Sequence, residues 1–343
     1  MRIGLVGYGV GGHLFHLPYV QAAKEWEIVG VVTRNPARRE VLAGEAPGVP
    51  AFDSMDDLID AGVDAVTITT PPQTRRELVL HALERGVNVV ADKPFAPNLA
   101  GAKELAEAAA AAGKVLCVFQ NRRYDTDLIT LQGVLASGDL GAPWRSRIVF
   151  DLDEPGGLEV GPEHGLLRDL GAHVVDQAIR LFGPVARVDG HLDWVDTPDG
   201  RVDVGFSLGL HHASGVFSDV SASKLCRRIA KEFTVYGAKG YYESHMSDRQ
   251  TDQLTSGLRP ATAPKGVWGV EEPDRWGTLV TADGAHRVPS AAGEYADFYR
   301  QFHAAVADGA QPPVLLSEVL HTIAVLDAAR LSDAQGRSVV PEA

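Results

Sequence analysis

The chain opens MRIGLVGYGVGG, and this dozen residues restricts the fold more than any other stretch. Ile3, Leu5 and Val6 form a short apolar run of the kind buried in a parallel sheet. Gly7, Gly9 and Gly12 follow in the spacing Gly-x-Gly-x-x-Gly, with Tyr8 and Val10 between them, before a helix begins. In such a turn the first glycine permits a tight corner, the second lets backbone approach a pyrophosphate, and the third lets helix lie close on strand. Helix N–H groups then face the phosphates. The same glycines would also serve a plain strand-to-helix corner, so the neighbouring units decide.

Those units repeat one pattern. Apolar runs at 28–32, 65–70, 88–91 and 115–119 alternate with a basic helix after Pro36 and with helical patterns at 73–85 and 99–112. This alternation predicts a doubly wound parallel sheet, the Rossmann setting that a dinucleotide fingerprint requires. Pro18 falls inside the first helix, where it removes a donor and crowds the preceding turn, so a kink or restart is expected there. Beyond about Asp125 the period becomes two: Val202, Val204, Phe206 and Leu208 alternate with Asp203, Gly205, Ser207 and Gly209, and Ile148, Phe150 and Leu152 alternate with Arg147, Val149 and Asp151. With further strands at 185–192, 216–222 and 233–236, the pattern predicts an open, mostly antiparallel sheet with one face seeking a cover. Residues 247–273 read as an irregular loop. Helical spacing of Tyr295, Phe298, Tyr299 and Phe302, and of Leu316, Val319, Leu320 and Ile323, reads as core packing.

The expected fold is therefore α/β plus α+β. Residues 1–122 would form a dinucleotide-binding Rossmann domain, and residues 123–343 a domain for substrate binding and oligomerisation, whose last helices either stay with it or pack back on the first. An open sheet face covered by its own copy predicts a homodimer or homotetramer.

NAD sites carry an acidic residue about twenty positions past the glycine turn. Here the second strand ends Val31-Val32-Thr33-Arg34-Asn35, without a carboxylate. Thr33 can hydrogen-bond a 2′-phosphate and Arg34 can grip it, with Arg38 and Arg39 adding charge nearby, so NADP is expected over NAD. A solvated basic helix start is the competing reading.

Asp92-Lys93-Pro94 follows directly on the 88–91 strand, so Lys93 projects from a strand's carboxyl end, where open parallel sheets bind ligands. Downstream, residues 164–176 read as part of a helix with two stripes: Leu170, Val174, Ala178 and Leu181 are apolar, and Asp169, His173, Asp176 and Arg180 are polar. Asp169 and His173 thus point the same way, which suits either a site or a solvated helix face.

The totals exclude several classes. A net charge of -13 argues against nucleic acid or an anionic membrane as partner. No apolar run approaches the roughly 18 residues of a membrane helix, and the first strand leaves no room for a leader, which predicts a cytoplasmic protein. Cys117 and Cys226 are too few for a disulfide framework. His13, His16, His211 and His212 lack ligand-like spacing, so no metal is expected.

Four ordered motifs, Gly7-Tyr-Gly-Val-Gly-Gly12, Asp92-Lys93-Pro94, Gln120-Asn-Arg-Arg-Tyr124 and Leu167-Arg-Asp-Leu-Gly-Ala-His-Val-Val-Asp176, resemble the Gfo/Idh/MocA family of nicotinamide-dependent sugar and polyol oxidoreductases. The tail from Gly293 through Gly336 does so too. Phe15-His16-Leu17-Pro18 and Asn121-Arg122-Arg123 further resemble its branch of NADP-dependent scyllo-inositol dehydrogenases. The resemblance implies hydride transfer between nicotinamide and a secondary hydroxyl of a sugar or inositol-like polyol, with Lys93, Asp169 and His173 as catalytic residues. His173 would act as base, Lys93 would hydrogen-bond the reacting oxygen, and Asp169 would orient the substrate or the imidazole. It also implies that Thr70, Pro71, Pro72, Asp92 and Asn121 join Gly7, Tyr8, Gly9, Val10, Gly12, Thr33, Arg34, Arg38 and Lys93 around the cofactor, and that Arg122, Tyr124 and His164 face the substrate. Two departures stand out: Asp92 replaces the commoner glutamate, and Glu163-His164 precede a single Gly165 where members often carry three glycines. An NAD-dependent glycoside hydrolase or a non-catalytic NADP sensor of the same fold are the alternatives.

Overall fold

The computed structural model describes residues 1–157, 164–198, 200–245 and 248–342. β1 (Arg2–Val6) enters the glycine turn, residues Gly11–His16 wind as a wide π-helical stretch, and only then does α1 (Leu17–Ala22) begin. Pro18 sits in its first turn, where a missing N–H has no partner to lose, so the expected restart occurs just before it. β2 (Glu27–Val32) and α2 (Pro36–Glu45) follow, with Asn35 capping α2 through the Arg38 N–H. Then come β3 (Ala51–Phe52), α3 (Met55–Asp60), β4 (Ala65–Ile68), α4 (Pro72–Glu84), β5 (Asn88–Ala91), α5 (Leu99–Ala112) and β6 (Leu116–Val118). The sequence reading has no β3 or α3: two and six residues are too short to show a period. The strands are parallel in the order β3-β2-β1-β4-β5-β6, so connections diverge from β1 and β4 and a crevice opens at their carboxyl ends.

The second sheet is built from β7 (Pro143–Asp153), β8 (Val185–Thr197), β9 (Gly200–His212), β10 (Phe217–Ser223), β11 (Leu225–Gly237), β12 (Gly240–His245), β13 (Gly277–Thr281) and β14 (Gly284–Val288). Its order is β14-β13-β12-β11-β7-β10-β9-β8, antiparallel except where β7 and β10 pair in parallel. α6 (Thr126–Ser137) precedes β7, and α7 (Leu166–Asp169) and α8 (Gly171–Phe182) intervene before β8. α9 (Arg249–Thr255), α10 (Ala296–Asp308) and α11 (Leu316–Gln335) complete the chain. Ile148 and Phe150 of β7, Phe206 and Leu208 of β9, Val174 and Ala178 of α8, and Val325 and Ala329 of α11 share one core.

Two expectations change. The alternation along β9 is broken at Val204: Gly205 pairs with Asp193 but Asp203 pairs with Trp194, so a bulge turns Asp203 inward. Fully buried there, it accepts from the Leu167 N–H at 2.6 Å and from Arg330 at 3.0 Å. The stretch expected to be irregular holds α9, whose buried residues are Gln250, Gln253 and Leu254; two of the three are amides, which accept from the Tyr295 and Gly269 N–H groups, so there is no apolar period to read. Glu163 and Ser247 lie outside the described residues. Tyr295, Phe298, Tyr299 and Phe302 of the α10 region are core residues as expected, and of the two placements left open for the last helices α10 takes the one on the first sheet: Trp26 stacks on Phe302 at 5.7 Å and donates to Tyr299 O at 2.9 Å.

Candidate active site

The crevice at the end of β1 is a cleft of about 350 Å3. Gly7, Tyr8, Gly9 and Val10 form one wall, Thr70, Pro71 and Pro72 another, and Asp92, Lys93 and Asp169 the inner end, with Arg38 at the rim. Each fingerprint glycine has its own reason. Gly7 holds φ +103, a Cβ on Gly12 would stand 2.4 Å from Gly7 O, and a Cβ on Gly9 would enter open space with only the Arg38 guanidinium near, at 3.9 Å. The cradle thus leaves room for a pyrophosphate where backbone N–H groups can meet it, and Thr70 Oγ1, buried without a partner, adds a free polar atom to its wall. These features fit a dinucleotide.

At the inner end, β5 delivers Asp92-Lys93-Pro94. Asp92 Oδ1 accepts from the Lys93 N–H at 2.8 Å, and its Oδ2 lies 3.5 Å from Nε2 of the fully buried His16, whose Nδ1 meets Tyr299 Oη at 2.6 Å. Burial opposes its charge, but His16, Arg75 and Lys93 outweigh it and bring Asp92 down to about 2. Arg75, in the first half of α4, braces the same corner by donating to Thr70 O at 2.8 Å and to Pro94 O.

Lys93 Nζ lies 2.5 Å from Asp169 Oδ1, and Lys224 Nζ lies 2.7 Å from Oδ2. Burial would raise the Asp169 carboxyl; the two ammonium groups outweigh it and hold it far below the carboxylate range. His173, one helical turn on, is 4% exposed, and its Nδ1 has no hydrogen-bond partner. Burial, then the charges of Lys93 and Arg122, push its imidazole well below the ordinary range, so it stands neutral at pH 7. The polar stripe is not a solvated face: Asp176 is buried against Arg123 at 2.6 Å, and of the four only Arg180 is exposed.

Lys93 and Asp169 therefore line one end of the cleft, while His173 is buried behind that lining, close enough to Lys93 for its charge to act on the imidazole. Thr33, Arg34 and Asn121 are not part of its wall; Thr33 is buried beside β3, and Arg34 is exposed with no ion-pair partner among the described residues. Arg39 is occupied by Asp53 at 2.6 Å. Arg122 binds Asp125 at 3.1 Å and Asp248 at 2.9 Å over the Phe150 ring, close enough to His173 to act on its charge. Tyr124 is turned to α10, with its hydroxyl on Gln301 at 3.1 Å, and His164 meets Gln73 at 2.8 Å. The single Gly165 is explained by its setting, φ +116 with Asp203 Oδ1 2.0 Å from where a Cβ would stand. Sequence reasoning missed Lys224 and Arg75. A lysine just past a strand and an arginine in a helix carry no local signal, and the former meets Asp169 only across 55 residues of chain.

Residues 1–120 match the family model described as oxidoreductase family, NAD-binding Rossmann fold, and residues 128–243 match the Gfo/Idh/MocA C-terminal domain. The chain is 26% identical to scyllo-inositol 2-dehydrogenase (NADP(+)) of Bacillus subtilis, over 100% of this chain and 96% of that one. It is 30% identical to an uncharacterized oxidoreductase of Escherichia coli, over 95% of each. It is 29% identical to D-apiose dehydrogenase of Paraburkholderia graminis, over 96% of this chain and 88% of that one. Among solved structures, an oxidoreductase from Bacillus cereus aligns with TM-score 0.87 at 27% identity over 100% of this chain and 99% of that one. An oxidoreductase of Agrobacterium radiobacter in complex with NAD+, L-tartaric acid and magnesium shares the fold at TM-score 0.80 and 21% identity, over 99% and 98%.

Proposed function

Because the chain belongs to the Gfo/Idh/MocA family of oxidoreductases, we propose that it is an NADP-dependent dehydrogenase acting on a secondary hydroxyl of an inositol-like polyol or a sugar. The observation that carries this reading is the pairing of Lys93 with Asp169 at the inner end of a glycine-lined cleft, with neutral His173 buried within reach of the Lys93 charge. When bound, the oxidised nicotinamide supplies the hydride acceptor. Lys93, aimed by Asp169, donates to the reacting oxygen and stabilises the negative charge that develops on it. His173 accepts the hydroxyl proton on a ring nitrogen, a role that its neutral state permits. The absence of a carboxylate after β2, the exposed Arg34 and the rim position of Arg38 support NADP, as does the named activity of the Bacillus subtilis relative. We extend the proposal to a division at residue 122 between cofactor and substrate parts, which the limits of the family models at 120 and 128 support, to a homo-oligomer formed through the second sheet, and to a cytoplasmic location. No described helix is long and apolar enough to cross a membrane.

The test is absorbance at 340 nm with NADP or NAD against a panel of inositols, aldoses and sugar acids. Multiple turnovers with NADP on one polyol class are expected, and Arg38→Ala should weaken NADP by about tenfold while leaving NAD within about twofold. Cofactor binding without net reduction of any member would overturn the reading in favour of a sensor or a hydrolase that regenerates its cofactor.

A further inference from the structure

Lys224 stands one residue beyond β10, and its side chain is 8% exposed. Its ammonium donates to Asp169 Oδ2 at 2.7 Å and to Gly157 O at 3.0 Å, while its own carbonyl accepts from the Glu154 N–H at 3.1 Å. Lys93 holds the other oxygen, Oδ1, at 2.5 Å. One carboxylate is thus divided between two ammonium groups, with the ionised Asp92 as a further charge interacting with Lys93. Burying a lysine is unfavourable unless it is paired, and a second lysine on an already paired carboxylate gains little for folding. The arrangement makes sense where a negative charge must be received.

We propose, on the dehydrogenase reading above, that Lys224 is a positioning residue of the reaction: by occupying Asp169 Oδ2 it leaves only Oδ1 for Lys93 and so fixes where the Lys93 ammonium stands. Without it, Asp169 is free to turn both oxygens on Lys93 and draw it from the reacting oxygen. The second ammonium also offsets the Asp169 charge at the place where alkoxide character develops as the C–H bond breaks and the O–H proton leaves. His173 is faced by Lys93, Arg122, Asp169 and Asp248; burial first, and then the two cations against the two carboxylates, keep it neutral. Removing Lys224 frees the Asp169 charge to favour the imidazolium.

The test compares Lys224→Met, which keeps the stem and removes the charge, with Lys224→Arg, which keeps the charge. The readouts are kcat, KM for the alcohol, NADP affinity by fluorescence, and the pH profile of kcat. Lys224→Met is expected to lose about tenfold or more in kcat, with KM changed less than about threefold and NADP affinity as in the wild type. The acid limb of its pH profile should move to higher pH. Lys224→Arg should recover most of the rate and the original profile. Should Lys224→Met not fold, Lys224→Gln, whose side chain is one bond shorter and carries no charge, is read by the same measures. Intact NADP binding with kcat within about twofold of wild type overturns the inference alone, as does a loss that arginine does not restore with the pH profile unmoved. A wild type that turns over no alcohol overturns the dehydrogenase reading and this inference with it.

Discussion

Along its helix His173 is one polar residue in a stripe with Asp169, Asp176 and Arg180, and an imidazole of ordinary pKa, near roughly 6.5, is the natural expectation. In the fold it is buried, unpartnered at Nδ1, and faced by Lys93 and Arg122, all of which disfavour its charge. Because the folded pKa is depressed, the unfolded chain takes the proton first. Stability is therefore complete above about pH 6.5 and declines as the pH falls beneath it. The same shift sets the activity profile. kcat/KM for alcohol oxidation should show no acid limb near 6.5 and should fall only well below that pH, which a pH–rate series with NADP checks. His173→Asn should lower kcat by about a hundredfold or more while NADP affinity, read by fluorescence, stays unchanged. The motif singles out Lys93 and the spacing sets Asp169 and His173 side by side as candidates; the charge state of His173 was not legible, since it comes from burial and from neighbours on other elements.

Between residue and fold, the corner formed by Gly165, α7 and β9 shows how one element conditions another. The bulge at Val204 points Asp203 inward, its carboxylate accepts from the Leu167 N–H in the first turn of α7, and α7 in turn carries Asp169 to the two lysines. Gly165 has to be glycine twice over, by its positive φ and by the carboxylate that fills its Cβ position. Gly165→Ala should destabilise the protein by about 2–4 kcal/mol in urea unfolding and lower turnover with it, because relieving the clash moves α7. Gly156→Ala, whose Cβ would meet nothing, should change stability by less than about 0.5 kcal/mol. The sequence reading treated β9 as an uninterrupted alternation and so could not find Asp203. A bulge adds one residue to one strand, and nothing in the composition of that strand marks where.

At the scale of the whole molecule, α10 completes the core of a sheet built from the opposite end of the chain. Phe302 is fully buried against Trp26, and Tyr299 closes a buried chain of polar contacts through His16 to Asp92. Phe302→Ala should cost about 3–5 kcal/mol, measured by urea unfolding, and should weaken NADP binding as well, since α1 and the glycine turn lean on the same aromatic cluster.

Local physics determined what the sequence by itself could determine. Turn stereochemistry selects the glycines, strand and helix periods select the parallel sheet, and the step from β5 into Asp92-Lys93-Pro94 places a lysine at a strand's carboxyl end, whereas the single helix expected to carry Asp169 and His173 is divided at Leu170 into α7 and α8. Only the tertiary structure decided that Lys93 and Asp169, 76 residues apart, share a charge with Lys224, 55 residues further on, and that His16 reaches Tyr299 across 283 residues. Such contacts arise from strand order, a bulge and burial, and these are settled by packing between segments whose local patterns hold no record of one another.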